Sequence, residues 1–305
     1  MKIGVTSPSF SKSKILCDEL NNIFDNVSYN YDGVKLEGKD LITFAKDCDA
    51  LVVGLDTINE EVIKSLPKLK FISKYGVGLD GIDQIACKNN NISIGWTGGV
   101  NKRSASEMTL GFMITLIRNM YPTSLDLRSS TWNKSGGKQL SGKTIGIIGL
   151  GNIGLDLIDL LTPFKCEILG NDIIPNFNVP NLNFQHVSKE EIYVRSDIIT
   201  VHTPLDDSTY DMIGSNEINK MKDGVILINA ARGGIINESD LYKALKEKKV
   251  GAAAIDVFQE EPPFESPLLE LNNVFSTPHI GGNAFEAVLA MGRSAINHLR
   301  KEFNV

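Results

Sequence analysis

The stretch "TIGIIGLGNIG", residues 144–154, decides the fold. Ile145, Ile147 and Ile148 form a short β-branched apolar run, the pattern of a strand buried on both faces. Gly149, Gly151 and Gly154 follow at G-x-G-x-x-G spacing, and Leu155, Ile158 and Leu161 then return at helical intervals. Each glycine has a physical task. The first permits the tight turn, the second lets a diphosphate approach the backbone, and the third lets the helix pack closely on the strand. A pyrophosphate held there would face the exposed N–H groups and positive end of the helix. Glycine-rich turns are common, so the context matters. The next apolar stretch, "CEILGND" (166–172), closes on Asp172, 18 residues beyond Gly154. A carboxylate at that point can accept hydrogen bonds from a ribose 2′-OH and repels a 2′-phosphate, so NAD is expected over NADP. The plainer reading of Asp172 is a residue of a strand-end turn.

Working outward, the first hundred residues alternate short β-rich runs (3–6, 27–31, 50–54, 71–74 and 92–96) with amphipathic stretches such as 13–24 and 59–66. That alternation predicts a parallel sheet wrapped by helices. A longer helix follows, with Met108, Phe112, Met113, Leu116, Ile117 and Met120 in one apolar stripe. Ser104 and Glu107 have the spacing of a capping box at its start. A Ser/Asn/Gly-rich loop spans 129–142, after which strand–helix alternation resumes to about residue 280. Phe285, Val288, Leu289, Ile296, Leu299 and Phe303 share a face of one last helix, which could return to the first domain. The expectation is an α/β chain of two Rossmann-like domains with mainly parallel sheets and an active-site cleft between them. The substrate-binding domain would comprise 1–97 plus 285–305, and the NAD-binding domain 98–284. A second glycine cluster, Gly76-Val77-Gly78, lacks the third glycine and stands beside Asp80 and Asp83, which would repel phosphates. It reads as a strand-end loop lining the cleft.

Bulk properties exclude several function classes. The 305 residues carry a net charge of −6, with 42% hydrophobic and 22% charged residues and no dense Lys/Arg stripe, so nucleic acid is not an expected partner. "MKIGVTS" becomes strand-like at once and lacks the long apolar region of a signal peptide. No apolar run approaches the roughly 18 residues needed to cross a bilayer, so a cytoplasmic protein without a membrane partner is expected. Cys17, Cys48, Cys87 and Cys166 are scattered without a CxxC or histidines at ligand spacing, which predicts reduced thiols and no metal site.

Three strand ends in the second half carry the chemistry. "VILINAARGG" (225–234) ends in Arg232 before two glycines, and "AAAIDVFQEEPP" (252–263) passes through Asp256 to Glu261. "FSTPHIGG" (275–282) places His279 between a proline and a glycine pair, where an ordinary turn is the alternative reading. Ligands of open α/β sheets bind beyond the carboxyl ends of the strands, so these loops could share one crevice. There an arginine can clamp a carboxylate bidentately, and a histidine backed by a glutamate can move a proton. With a hydride carrier on the glycine-rich turn, the implied reaction is oxidation of a 2-hydroxy acid or its reverse.

At these residues the chain closely resembles the D-isomer-specific 2-hydroxyacid dehydrogenases, above all their phosphoglycerate dehydrogenase branch. "SKYGVGLDGID", "GLGNIG", "VHTPL", "NAARGG", "DVFQEEPP" and "STPHIGG" occur in the family's order across nearly the whole chain. The resemblance implies that Arg232 orients the substrate, that His279 is the acid/base and that Glu261 is its paired carboxylate. It implies cofactor contacts at Gly149, Gly151, Asn152, Ile153 and Gly154, and at Asp172 on the adenosine ribose. Thr203 and Pro204 would border the adenine, with Ala230, Arg232 and Asp256 at the nicotinamide end. Lys74, Val77 and Gly78 would join Arg232 and His279 around a small 2-hydroxy or 2-keto acid. His202 is expected at the cofactor edge or in a structural role, and His186 and His298 at the surface. A homodimer built on the long helix and the 129–142 arm is also implied.

This chain departs from the family at two points. It has Gly98-Gly99 where many relatives have Pro-Gly, and Lys74 where phosphoglycerate-type enzymes often have arginine. Lysine offers charge without a planar fork. A regulatory domain after the last helix is not expected, nor is serine feedback of the kind seen in longer relatives. Phosphoglycerate, glycerate/hydroxypyruvate and glyoxylate stay open as substrates. Two other classes compete: an NAD-sensing regulatory protein of the same fold, and a methyltransferase-like nucleotide binder in which the Arg–Glu–His set would have no purpose.

Overall fold

The computed structural model describes residues 1–174, 179 and 183–305. They form two compact units, Met1–Asn101 with Asn283–Val305, and Lys102–Gly282.

The first unit holds β1 (Ile3–Val5), β2 (Val27–Tyr29), β3 (Ala50–Val53), β4 (Phe71–Lys74) and β5 (Ser93–Gly95), all parallel in the order β2-β1-β3-β4-β5. Successive side chains point to opposite faces, and both faces are covered. Leu51, Val53 and Ile72 enter one core, while Ile3, Val5, Ala50, Val52 and Phe71 enter the other. The helix Phe285–Phe303 closes that second core with Leu289, Met291, Ala295, Ile296 and Leu299. Gly292 permits the fit, because a Cβ there would lie 2.3 Å from Leu16 Cδ1. Phe285, assigned to the apolar face by periodicity, is instead 65% exposed at the helix's first turn.

The second unit holds β6 (Thr144–Ile148), β7 (Glu167–Asn171), β8 (Phe184–His186), β9 (Ile198–Val201), β10 (Val225–Asn229), β11 (Val250–Ile255) and β12 (Val274–Ser276). They form one parallel sheet in the order β12-β11-β10-β9-β6-β7-β8. The strand order reverses between β6 and β9, the switch point at which such sheets bind ligands. Their unbroken apolar runs have a simple cause, since Ile145, Ile147, Ile198 and Ile228 fill one face while Ile148, Ile199 and Leu227 fill the other.

The long helix differs from its expected form in two ways. It begins at Lys102, two residues before the supposed cap, and the Ser104 hydroxyl donates to Gly281 O at 2.7 Å while Glu107 is exposed. Ser104 therefore ties two segments of the unit together instead of capping a helix. The helix ends at Ile117, because Asn119 adopts a left-handed backbone (φ 52°) and a second helix, Met120–Arg128, starts there with Met120 53% exposed. In the next helix, Asn152–Leu161, Leu157 takes the core position read as Leu155, which is 37% exposed.

Candidate active site

The glycine-rich turn follows β6 at the switch point. Gly149 has φ +100°, and a Cβ on it would come within 2.6 Å of the His202 carbonyl. A Cβ on Gly154 would lie 2.1 Å from Gly149 O, so helix and turn touch through bare backbone. At Gly151 nothing lies within 4 Å of the corresponding position, leaving open space in front of the helix. Gly151 is the N-cap of the helix Asn152–Leu161 and, having no side chain, makes no cap bond to its first turn. An uncapped helix start facing open space fits a diphosphate.

Asp172, just past β7, is committed to the same turn. One carboxylate oxygen accepts Leu150 N at 2.7 Å and the other accepts Ile174 N at 2.9 Å. The side chain thus braces the glycine-rich loop, a task that residue spacing does not reveal. On the other side of the switch point, after β9, Thr203 Oγ1 and His202 Nδ1 are buried polar atoms without a hydrogen-bond partner among the described residues. Pro204 follows, exposed, with its carbonyl accepting Thr209 Oγ1 at 2.7 Å.

The His202 ring lies largely inside the fold. Its Nε2 lies 3.0 Å from the Thr200 hydroxyl, and burial pushes its pKa down to about 4. An unfolded histidine titrates near ~6.5, so the unfolded chain binds the extra proton between those values and stability falls as pH drops through that window. From pH 7 to pH 5 this one group removes about 2 kcal/mol. In His202→Gln the loss of unfolding free energy over that interval should be smaller by a similar amount, as measured by urea titration at both pH values. An identical pH dependence in the variant would reject this account.

The acid/base candidates lie at the carboxyl ends of three adjacent strands. Asn229 pairs with Ile255, and Ile255 with Ser276, so Arg232, Asp256 and His279 leave neighbouring strands at matched levels. Asn229, 3% exposed, clamps the first loop: its Oδ1 accepts Ala231 N at 3.1 Å and its Nδ2 donates to Arg232 O at 2.9 Å. The Arg232 guanidinium donates to Ala231 O at 2.7 Å, and Ala230 is half-buried beside the clamp. Gly233 packs under the next loop so closely that a Cβ would lie 1.9 Å from Phe258 O.

His279 has φ 53°, a left-handed conformation that histidine tolerates better than most residues but that still stores strain. Asp256 holds it there. Its carbonyl accepts His279 N at 2.8 Å, and its carboxylate accepts the Thr277 hydroxyl at 2.5 Å and Ile280 N and Gly281 N at 2.8 Å each. The Asp256 side chain, 1% exposed, therefore braces the histidine loop. The imidazole Nδ1–H then donates to Glu261 Oε2 at 2.9 Å, and Glu261 Oε1 accepts Phe258 N at 3.1 Å. Both side chains are 38% exposed.

Sequence reasoning misses Asn229 and the brace role of Asp256. The available signal is a polar residue closing a wholly buried strand, since such a group must find partners. His186 is exposed, whereas His298 is half-buried, with Nε2 2.8 Å from Thr97 Oγ1, and so is a packing residue of the first unit. In that unit Lys74 is 5% exposed, and its ammonium donates to Gly54 O across the ends of β3 and β4. Val77 O accepts the Trp96 indole N–H at 2.8 Å, and Gly78 is half-buried. These bonds of Lys74 and Val77 hold the loops of the first unit in place. Among the described residues, no group of three or more His, Cys, Asp or Glu could hold a metal ion.

Doubly wound parallel sheets, with an uncapped glycine-rich helix start at one switch point and a His–Glu pair on neighbouring strand ends, define a dinucleotide-dependent dehydrogenase architecture. The chain belongs to the D-isomer specific 2-hydroxyacid dehydrogenase family, whose NAD-binding-domain model matches residues 110–281. It is 37% identical over 306 residues to D-3-phosphoglycerate dehydrogenase of Methanocaldococcus jannaschii, covering 99% of this chain but 57% of that protein. It is 36% identical to hydroxypyruvate reductase of Thermotoga maritima, covering 88% of this chain and 90% of that one. Among solved structures, NAD-dependent formate dehydrogenase from Staphylococcus aureus in complex with NAD matches with a TM-score of 0.86 at 26% identity, covering 100% of this chain and 96% of that one.

Proposed function

We propose that this protein is an NAD-dependent oxidoreductase interconverting a D-2-hydroxy acid and its 2-keto acid, of the phosphoglycerate dehydrogenase type. The observation that carries this reading is the 2.9 Å His279–Glu261 contact, which joins the ends of β12 and β11, with Arg232 at the end of β10 beside β11. Arg232 would hold the substrate carboxylate through two parallel N–H···O bonds. His279, with Nδ1 on Glu261, would exchange a proton with the substrate oxygen through Nε2, and Glu261 would stabilise the imidazolium. NAD(H) bound on the glycine-rich turn supplies or accepts the hydride. Lys74, Val77 and Gly78 belong to the unit that would carry the rest of the substrate.

A second reading, reduction of unphosphorylated hydroxypyruvate or glyoxylate, is favoured by Lys74. Its ammonium is bonded to Gly54 O inside the fold, and a lysine so held is a poor phosphate reader. A homodimer is supported by Met120, Leu127 and Trp132, which are 53%, 59% and 78% exposed around a surface cavity of about 380 Å³. Four buried thiols outside any disulfide suit a reducing, cytoplasmic setting, and among the described residues no helix is long and apolar enough to cross a membrane.

The test is turnover of phosphohydroxypyruvate, hydroxypyruvate and glyoxylate with NADH and with NADPH. NADH should be preferred, and Asp172→Ala should narrow the gap by on the order of 10–100-fold, the value of one charge-assisted hydrogen bond. The variant should also melt lower, because Leu150 N and Ile174 N lose their acceptors. No turnover of any 2-keto acid would reject the enzyme reading; equal efficiency of the two cofactors would reject the role of Asp172.

A further inference from the structure

We infer that Glu238 is a positioning residue for the Glu261–His279 pair, an inference that rests on the proton-transfer reading of that pair. Glu238 opens the helix Glu238–Lys246, where an acidic residue is commonplace for its interaction with the helix dipole. That helix, however, already has its cap, since Asn237 Oδ1 accepts Asp240 N at 3.0 Å. The Glu238 side chain turns elsewhere. Its Oε1 accepts Gln259 N at 2.6 Å, 21 residues along the chain, in the turn that carries Glu261.

That turn is held at several points, and Glu238 supplies the carboxylate that reaches it from outside the turn. Phe258 N donates to Glu261 Oε1, Gln259 Nε2 donates to the Tyr210 hydroxyl at 3.2 Å, and Gly233 packs against Phe258 O. Remove Glu238 Oε1 and Gln259 N, two residues before Glu261, loses its acceptor. The contact is kept against an electrostatic cost. Glu238 is half-buried, and its carboxyl is raised above the usual carboxylate range, first by burial and then by the charges of Glu260 and Glu261. A neutral acceptor would hold Gln259 N without that repulsion. Glu260 and Glu261 on the turn act on the Glu238 carboxylate, with the Tyr210 hydroxyl bonded to Gln259 and His279 bonded to Glu261.

Acceptor and charge can be separated. Glu238→Ala removes both, Glu238→Asp keeps the charge but falls one methylene short of Gln259 N, and Glu238→Gln keeps the reach and acceptor without the charge. Reductive kcat should fall roughly tenfold in the Ala and Asp variants, because a catalytic pair held loosely loses its near-attack geometry. KM for NADH should hold within about twofold, and Glu238→Gln should recover most of the lost kcat. A purely structural residue would lower the melting temperature without that split between kcat and KM and without recovery in Glu238→Gln.

Glu261→Gln is the reference. If it keeps full reductive kcat, the pair itself has been misread. If it lowers kcat and Glu238→Asp does not, the inference about Glu238 alone is overturned, and it is overturned equally if Glu238→Gln is as impaired as Glu238→Asp.

Discussion

Arg232→Lys should lower kcat/KM for the preferred 2-keto acid by roughly 10–100-fold or more, while the dissociation constant for NADH changes only a few-fold. The expected size follows from the geometry a carboxylate clamp needs. A guanidinium offers two parallel donors in a rigid fork, while an ammonium is a point charge on a flexible stem. One charge-assisted hydrogen bond to a carboxylate contributes about 1.5–3 kcal/mol, and each 1.4 kcal/mol is a factor of ten. The backbone around Arg232 is prepared for such precision, with Asn229 bonded on both sides of Ala231 and Gly233 wedged beneath Phe258 O. Lysine keeps that backbone and the positive charge, so a folding defect is not expected. Steady-state kinetics with an NADH fluorescence titration would check it. Near-parental efficiency in the lysine variant would mean that Arg232 is not the clamp.

The two sheets are readable because their strands are buried on both faces. Runs such as Ile145–Ile148 or Val225–Ile228 can hardly be anything else once glycine turns bound them. The glycine fingerprint is equally legible, since each of its glycines answers to a steric demand visible as a backbone overlap of 2.1–2.6 Å or as open space. Polar residues that act through distant partners are not legible. Ser104 has capping-box spacing but bonds Gly281, Asp256 looks outward from a strand end but folds under His279, and Lys74 is charged yet bonded to Gly54 O. Local spacing cannot report a hydrogen bond to a residue 177 positions away. Nor can it foresee the left-handed Asn119, which ends the long helix before Met120.

The largest loss is expected at His279. His279→Asn is the informative variant, because asparagine accepts the left-handed backbone at this position and its amide can still donate to Glu261. It cannot exchange a proton, so rates in both directions should fall by roughly 10²–10⁴-fold, the usual contribution of a positioned acid/base. Glu261→Gln is subtler and decides the mechanism. Reduction calls on the protonated imidazole and oxidation on the neutral one. The Glu261 carboxylate, 2.9 Å from Nδ1, accepts the proton on that nitrogen and so leaves Nε2 as the nitrogen that exchanges one. Glutamine keeps the shape and an acceptor but removes the charge and can offer an N–H instead, so kcat in both directions should fall by roughly tenfold or more. Unimpaired turnover in Glu261→Gln would show that Glu261 does not orient the catalytic imidazole, and a robustly active His279→Asn would remove His279 from the mechanism.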